Sequence, residues 1–371
     1  MGNFFDYLIW REDLSFKTKA FNQIDSIILC QILYAEFDNL ISEKFSRKIK
    51  LSALAEIYFT KNLQTKNLGI FINNGTADIL KLAGKSKRFK DIQLSGYINQ
   101  HDESTKTQFC AVTAILPTGE ICVIYKGTDD TILGWEESFS LAYKTPIEGH
   151  LYAKEYLDAV AKKIKKKMYV MGHSKGGNFA VYAAANTLKK NTQRIIAVFD
   201  NDGPGFLENE LENPQYKNIL PKIHTIIPES SIVGPLLKRK NKPQYIKSSE
   251  NTGIAQHDLT TWQIECTNFI IAESQSLTGE VSAKTVETWL SNLSQAKKEE
   301  FLTLFFTALK KTGAKTLIEL QDNWLKNSVD ILKSVSKLNK ETKTHIYDIF
   351  KVFFHSLHLN FPSLKDFLRN E

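Results

Sequence analysis

The chain has 371 residues, 42% hydrophobic and 24% charged, with a formal net charge of +7. That length allows one large or two smaller domains with a sizeable core, and nothing in the composition points to disorder. No apolar run reaches the roughly 18 residues of a membrane span, and Asp6 with Arg11-Glu12-Asp13 interrupts any signal-peptide core; Asp6 also spoils the myristoylation pattern that Met-Gly would open, so a cytoplasmic protein is expected.

Residues 1–85 read as mainly helical. Ile24, Ile27, Ile28, Ile32 and Ala35 form one apolar stripe, a second segment spans 51–59, and a third opens at Thr76 and stops at Gly84. Strands begin near residue 91. Residues 91–98 alternate, and 109–116 and 121–125 flank the turn Pro117-Thr118-Gly119-Glu120 as a hairpin. Lys126-Gly127-Thr128-Asp129-Asp130 closes it. Residues 151–166 carry a helical apolar stripe. From Met168 an apolar strand runs into Gly172-His173-Ser174-Lys175-Gly176-Gly177, and the small residues Ala180, Ala183 and Ala184 continue as a helix to about residue 190. Residues 194–199, 222–227 and 244–247 read as further strands. Strands alternating with helices after residue 120 imply a mostly parallel sheet wound by right-handed crossovers. Residues 280–371 change character, with helical patterns over 287–293, 298–309, 314–338 and 342–359. They are expected to form a helical region packed on the sheet unit of residues 1–279, in which 1–85 are mainly helical and 86–279 carry the sheet.

Ser174 is the centre of Gly-x-Ser-x-Gly. A sharp strand-to-helix turn lifts such a serine hydroxyl out of the sheet, and Gly172 and Gly176 leave out side chains that would crowd the turn. The five letters alone also fit an ordinary Gly-rich turn; the strand before and the helix after favour a nucleophile. A serine nucleophile needs a base, an acid to orient the base, and donors for the oxyanion. In the α/β-hydrolase fold these follow as Ser, then Asp or Glu, then His. His224 lies within a predicted strand, and His345, His355 and His358 lie on a C-terminal helix; His257 alone follows the last predicted strand in a loop and is the candidate base. His173, beside Ser174, reads as packing. Asp202, in Asp202-Gly203-Pro204 after strand 194–199, is the favoured acid. Asp200 lies beside it, Glu229 follows the next strand, where the acid is commoner, and Asp258 adjoins His257 and lacks reach. Asp before Gly is equally an ordinary turn residue. The Lys175 amide is one oxyanion donor. Gly127-Thr128 supplies the other, and the Thr128 hydroxyl could add to its own amide.

Cys30, Cys110, Cys122 and Cys266 stand singly in apolar stretches, which favours buried reduced thiols over disulfides or metal ligands. No metal or organic cofactor is called for. Lysines cluster at 162–163, at 165–167 and in Lys238-Arg239-Lys240. Such runs are mostly solvated faces, and they could also draw the protein to anionic lipid headgroups or anionic substrates. Nucleic-acid binding is not expected, because no recognition motif is present and the basic runs lack interleaved aromatics.

Tyr125-Lys126-Gly127-Thr128 with Trp135 resembles the oxyanion loop of class 3 lipases, and Gly172-His173-Ser174-Lys175-Gly176-Gly177 resembles their elbow. The whole chain is similar to a bacterial family of class-3-lipase-like α/β-hydrolases. Phe5-Asp6-Tyr7-Leu8-Ile9-Trp10-Arg11, Asn201-Asp202-Gly203-Pro204-Gly205-Phe206, Ser231-Ile232-Val233-Gly234 and Gln256-His257-Asp258 carry that resemblance. It implies a serine hydrolase acting on an ester, with Ser174, His257 and Thr128 carried over by motif. One departure stands out. Class 3 lipases place the acid just before an Ile/Val-Val-Pro stretch, and here Ser231 occupies that place, which moves the acid to Asp202 or leaves the triad incomplete. Lys175 replaces a usual apolar residue; its ammonium either steers an anionic headgroup or points to solvent.

The leading expectation is a serine hydrolase of a small-molecule or lipid ester, with Ser174 as nucleophile, His257 as base and Asp202 as orienting acid. The alternatives are a non-catalytic lipid- or protein-binding module on a hydrolase scaffold, motivated by Ser231 and the aromatic C-terminal helices, and an acyltransferase using the same triad. Nothing in the residues names an acyl chain or an oligomeric state.

Overall fold

The computed structural model describes residues 2–322, apart from 66, 74, 278, 281, 282, 285–287 and 289–292, together with residue 344. The helices expected at 287–293, at 342–359 and in the later part of 314–338 fall largely outside the described residues, and His345, His355 and His358 lie there too.

An eight-stranded sheet forms the middle of the molecule. Its strands are β1 (Ile49–Lys50), β2 (Gln93–Asp102), β3 (Thr107–Ile115), β4 (Ile121–Tyr125), β5 (Met168–His173), β6 (Ile195–Asn201), β7 (Ile223–Pro228) and β8 (Gln244–Ile246), side by side in that order. From β1 to β4 neighbours are antiparallel, and from β4 to β8 they are parallel. The hairpin expected around Pro117 is the β3–β4 pair.

Strand order follows chain order, so crossovers of one hand place their helices on one face of the sheet. Between β4 and β5 run α5 (Ile132–Ser140) and α6 (Glu148–Lys163), and α7 (Lys175–Asn186) joins β5 to β6. Leu157, Val160, Ala180, Ala183 and Ala184 of α6 and α7 pack on Ala111, Val123, Val170 and Val198 of the sheet. The other face would be bare without the N-terminal helices α1 (Phe4–Trp10), α2 (Gln23–Ile32), α3 (Leu51–Thr60) and α4 (Thr76–Lys85). Their residues Ile24, Ile28, Leu54 and Leu80 bury Cys110, Ile124, Met171 and Phe199. The central strands are thus covered on both sides, which is why they read as continuous apolar runs and not as alternating ones. This order, with a serine turn between β5 and α7, is an α/β-hydrolase fold. Among the described residues no helix is long and apolar enough to cross a membrane.

Several expectations need correction. The helix expected at 151–166 is α6, beginning and ending about a turn earlier. The helix expected to run to about residue 190 is α7, which ends at Asn186, and a separate short helix, Lys189–Thr192, follows. Cys266 is exposed, unlike Cys30, Cys110 and Cys122; it sits at a φ of 56° between the two-residue strands Ile264–Glu265 and Asn268–Phe269. Helix α5 is not legible as an apolar stripe, because it buries Glu136 and Glu137 together with its apolar residues. A third apolar cluster lies outside it. Phe301, Phe305, Phe306 and Leu309 of the helix Gln295–Lys310 pack on Ile132 and Tyr143. Beyond that helix, Thr316 bridges to Thr131 as a single antiparallel β-pair.

Candidate active site

Ser174 is the N-cap of α7 and adopts φ 58° and ψ −133°, a conformation L-residues rarely take. Holding it costs of order 1–3 kcal/mol, and its surroundings enforce it. A side chain on Gly172 would put its Cβ 2.0 Å from the Gly176 carbonyl oxygen, and one on Gly176 would lie 2.2 Å from that of Tyr125. The turn can therefore close only with glycine at both places. Among the described residues the Ser174 hydroxyl makes no hydrogen bond; its amide donates to the Asn201 carbonyl at 3.0 Å.

His257 ends the 3-10 turn Ala255–His257, in the long connection after β8. Its Nδ1 lies 2.6 Å from Asp202 Oδ2. Asp202 directly follows β6, is wholly buried, and holds φ 55°, a left-handed conformation that Asp tolerates better than most residues. Its amide donates to the Ile226 carbonyl at 2.8 Å. A buried carboxylate must have its lone pairs met, and three donors converge here. Besides His257, the Ser231 hydroxyl donates to Oδ2 at 2.6 Å and the Gly234 amide to Oδ1 at 3.1 Å. Ser231 thus sits against the Asp202 carboxylate as a donor.

The other acids lie elsewhere. Asp200 accepts from Arg239 at 3.0 Å, from Thr225 at 2.9 Å and from the Gly203 amide at 3.0 Å. Glu229 pairs with Lys247 at 2.6 Å. Asp258 accepts from Asn73 at 2.8 Å and caps the next turn through the Thr260 amide.

His173 does more than pack. It is buried, with its ring centroid 4.5 Å from that of His257. Nε2 is 2.9 Å from the His257 carbonyl oxygen, which can only accept, so Nε2 carries the proton and donates. Nδ1 then accepts from the Tyr34 hydroxyl at 3.0 Å. Burial and the neighbouring His257 push the His173 pKa well below the usual histidine range, so the ring stays neutral. The Tyr34 hydroxyl also lies against Gly127, where an added Cβ would come within 2.2 Å of it. Hydrogen bonds therefore run from Tyr34, just after α2, through His173 to the loop carrying His257. Tyr34 left no mark in the sequence beyond an apolar helix end, because its partners lie far along the chain.

Gly127 packs on the elbow. A Cβ there would be 3.1 Å from Ser174 Cβ and 2.7 Å from the His173 carbonyl oxygen. The next amide, of Thr128, and that of Lys175 make no hydrogen bond among the described residues. The Lys175 amide is the first of α7, where N–H groups lack partners and the helix dipole favours negative charge. The Thr128 hydroxyl is engaged elsewhere. It lies 2.5 Å from Ser138 Oγ, whose own hydrogen goes to the Gly134 carbonyl at 2.8 Å. Thr128 is therefore the donor of that pair, and its hydroxyl hydrogen points away from any oxyanion it was expected to serve.

The Lys175 side chain neither steers a headgroup nor meets solvent. It is 1% exposed and ion-paired with the equally buried Glu137 at 2.5 Å. A buried charge without a partner is prohibitively unfavourable, so the ammonium turns inward to Glu137. Among the described residues no group of three or more His, Cys, Asp or Glu side chains is arranged to hold a metal ion.

The family model described as Mbeg1-like matches residues 83–307, which include the elbow, Asp202 and His257. No curated protein matches the sequence. Solved structures that it is similar to include the Rhizomucor miehei lipase propeptide complex, at 15% identity and a TM-score of 0.31 over 47% of this chain and 70% of that one. Another, a fungal lipase, is 14% identical with a TM-score of 0.38 over 62% and 87%. The M37 lipase is 14% identical with a TM-score of 0.36 over 58% and 70%. These scores are low, and the fold rests on the strand order and elbow of this chain itself.

Proposed function

The chain belongs to the Mbeg1-like family, whose match covers residues 83–307, and from that premise and the arrangement around Ser174 we propose that it is a serine hydrolase cleaving a carboxylic ester. The observation that carries the reading is the 2.6 Å contact between His257 Nδ1 and Asp202 Oδ2, taken with a serine held at φ 58° in the strand-to-helix turn. Asp202 holds the imidazole with its proton on Nδ1, leaving Nε2 as the base toward the Ser174 hydroxyl. Ser174 Oγ attacks the acyl carbonyl while His257 takes its proton, and the amides of Thr128 and Lys175 stabilise the oxyanion. His257 then protonates the departing alkoxide, and a water activated by the same histidine releases the acid from Ser174.

Ser231 in the usual acid position and the aromatic C-terminal helices motivate the alternative of a non-catalytic module; the 2.6 Å hydrogen bond from Ser231 to Asp202, which also contacts His257, supports the hydrolase reading over it.

A fluorophosphonate probe tests the reading. The wild type is expected to label stoichiometrically and Ser174→Ala not at all. Equal labelling of both, or none of either, would sink it. A panel of aryl esters of rising chain length then sorts small esters from lipid-like ones.

A further inference from the structure

The residue after the nucleophile carries a buried charge that the reaction does not use. The Lys175 ammonium has three hydrogens and makes three bonds: to the Gln108 carbonyl at 2.9 Å, to Gln108 Oε1 at 2.7 Å and to Glu137 Oε2 at 2.5 Å. Glu137 Oε2 also accepts the Gln108 amide at 3.2 Å. The cluster ties β3, α5 and the first turn of α7 at one point, and each of its residues is at most 2% exposed. The neighbouring residue of α5, Ser138, receives the Thr128 hydroxyl. Two consecutive residues of one helix thus hold the two residues that flank the nucleophile as amide donors.

We propose, resting on the serine-hydrolase reading above, that Glu137 and the Lys175 side chain are positioning residues which set the spacing of the two oxyanion donors. An oxyanion hole works only where its amides are fixed before charge develops, because a donor that must move loses most of its effect. The Lys175 amide and its side chain leave the same Cα. Anchoring the ammonium to α5 fixes that residue relative to the helix that also holds Thr128. Nothing here requires Lys175 Nζ to touch substrate.

An ion pair this deep can be replaced by apolar residues of similar volume without loss of fold. The test is therefore Lys175→Met with Glu137→Met in the full chain, assayed on a short aryl ester with active sites counted by fluorophosphonate. The variant is expected to melt cooperatively and to keep KM within about threefold. Its kcat per active site falls about 10- to 100-fold, as a misplacement near 1 Å would cause. Phosphonylation of Ser174 slows by a similar factor. A folded double variant with wild-type kcat and labelling rate overturns the proposal. If the double variant does not fold, Glu137→Asp decides. It keeps the charges and shortens the link by one methylene, so kcat is expected to fall about 3- to 10-fold at unchanged KM, and wild-type kcat overturns the proposal. The hydrolase reading fails separately, through a wild type that does not label.

Discussion

Asp202→Asn is the most informative perturbation, since it changes one atom of the carboxylate and leaves volume nearly constant. In the wild type Oδ2 accepts from His257 Nδ1 and from Ser231 Oγ, while Oδ1 accepts from the Gly234 amide. Asparagine has one oxygen for these three donors. With its oxygen at the Oδ2 position, its NH2 faces the Gly234 amide, two donors head to head. With its NH2 at Oδ2, His257 must accept at Nδ1 and carry its proton on Nε2, where it cannot take one from Ser174. The second arrangement abolishes the base; the first keeps the tautomer but withdraws the negative charge that stabilises the imidazolium. In serine proteases built on a Ser-His-Asp triad the same exchange lowers kcat about 10⁴-fold, and a tenfold step is about 1.4 kcal/mol, so the expected rise in barrier is about 5 kcal/mol. The assay is kcat for a short aryl ester at neutral pH, with circular dichroism to verify the fold. A folded variant retaining more than a tenth of wild-type kcat would refute the assignment of Asp202 as the orienting acid.

Two further outcomes follow from neighbouring groups. Ser231→Ala removes a donor to a charged, buried acceptor, a bond of about 1.5–3 kcal/mol; part of that loss is expected to appear as a several-fold lower kcat in the same assay, and an unchanged kcat would mean that Ser231 does not support Asp202. His150 is fully buried, accepts the Ile147 amide at Nδ1 and donates from Nε2 to Asn178 at 2.6 Å, and its pKa is pushed down to about 4 by burial. Its unfolded-state value is near 6.5, so between about pH 6.5 and 4 the unfolded chain binds the extra proton and stability is lost as pH falls. At pH 5 that amounts to roughly 2 kcal/mol relative to pH 7. His173, also held neutral by burial, acts in the same direction. Urea unfolding of His150→Gln at pH 5 and 7 is expected to show a flatter dependence than the wild type; an equally steep one would count against the buried-neutral assignment.

What could be read from the sequence was what depends on neighbouring residues. The elbow is local: apolar strand, Gly172, Ser174, Gly176 and small helix residues stand within one stretch, and strict steric limits leave few other sequences there. The β3–β4 hairpin was legible for the same reason, a turn between two β-rich runs. Asp202 was harder, because its partners Ser231, Gly234 and His257 arrive from two later stretches. Helix α5 was missed because buried carboxylates replaced its apolar stripe, and they are buried only because Lys106, Lys175 and Lys310 meet them. Tyr34 and His173 were undervalued on similar grounds. Their hydrogen bonds join residues 139 and 84 positions apart, which no window of sequence contains.

The loop between β4 and α5 is finished by a stretch of chain made much later. The Ile132 amide donates to the Lys315 carbonyl at 2.8 Å, and the Leu317 amide to the Asp130 carbonyl at 3.0 Å. The Ile318 amide reaches Asp130 Oδ2 at 3.1 Å, across 188 positions. Translation runs from the N-terminus, and a domain folds as its parts emerge. A nascent chain that has released Ser174, Asp202 and His257 would still lack the segment that grips the loop beside Thr128. The ribosome therefore delivers the segment that grips this loop only after Ser174, Asp202 and His257.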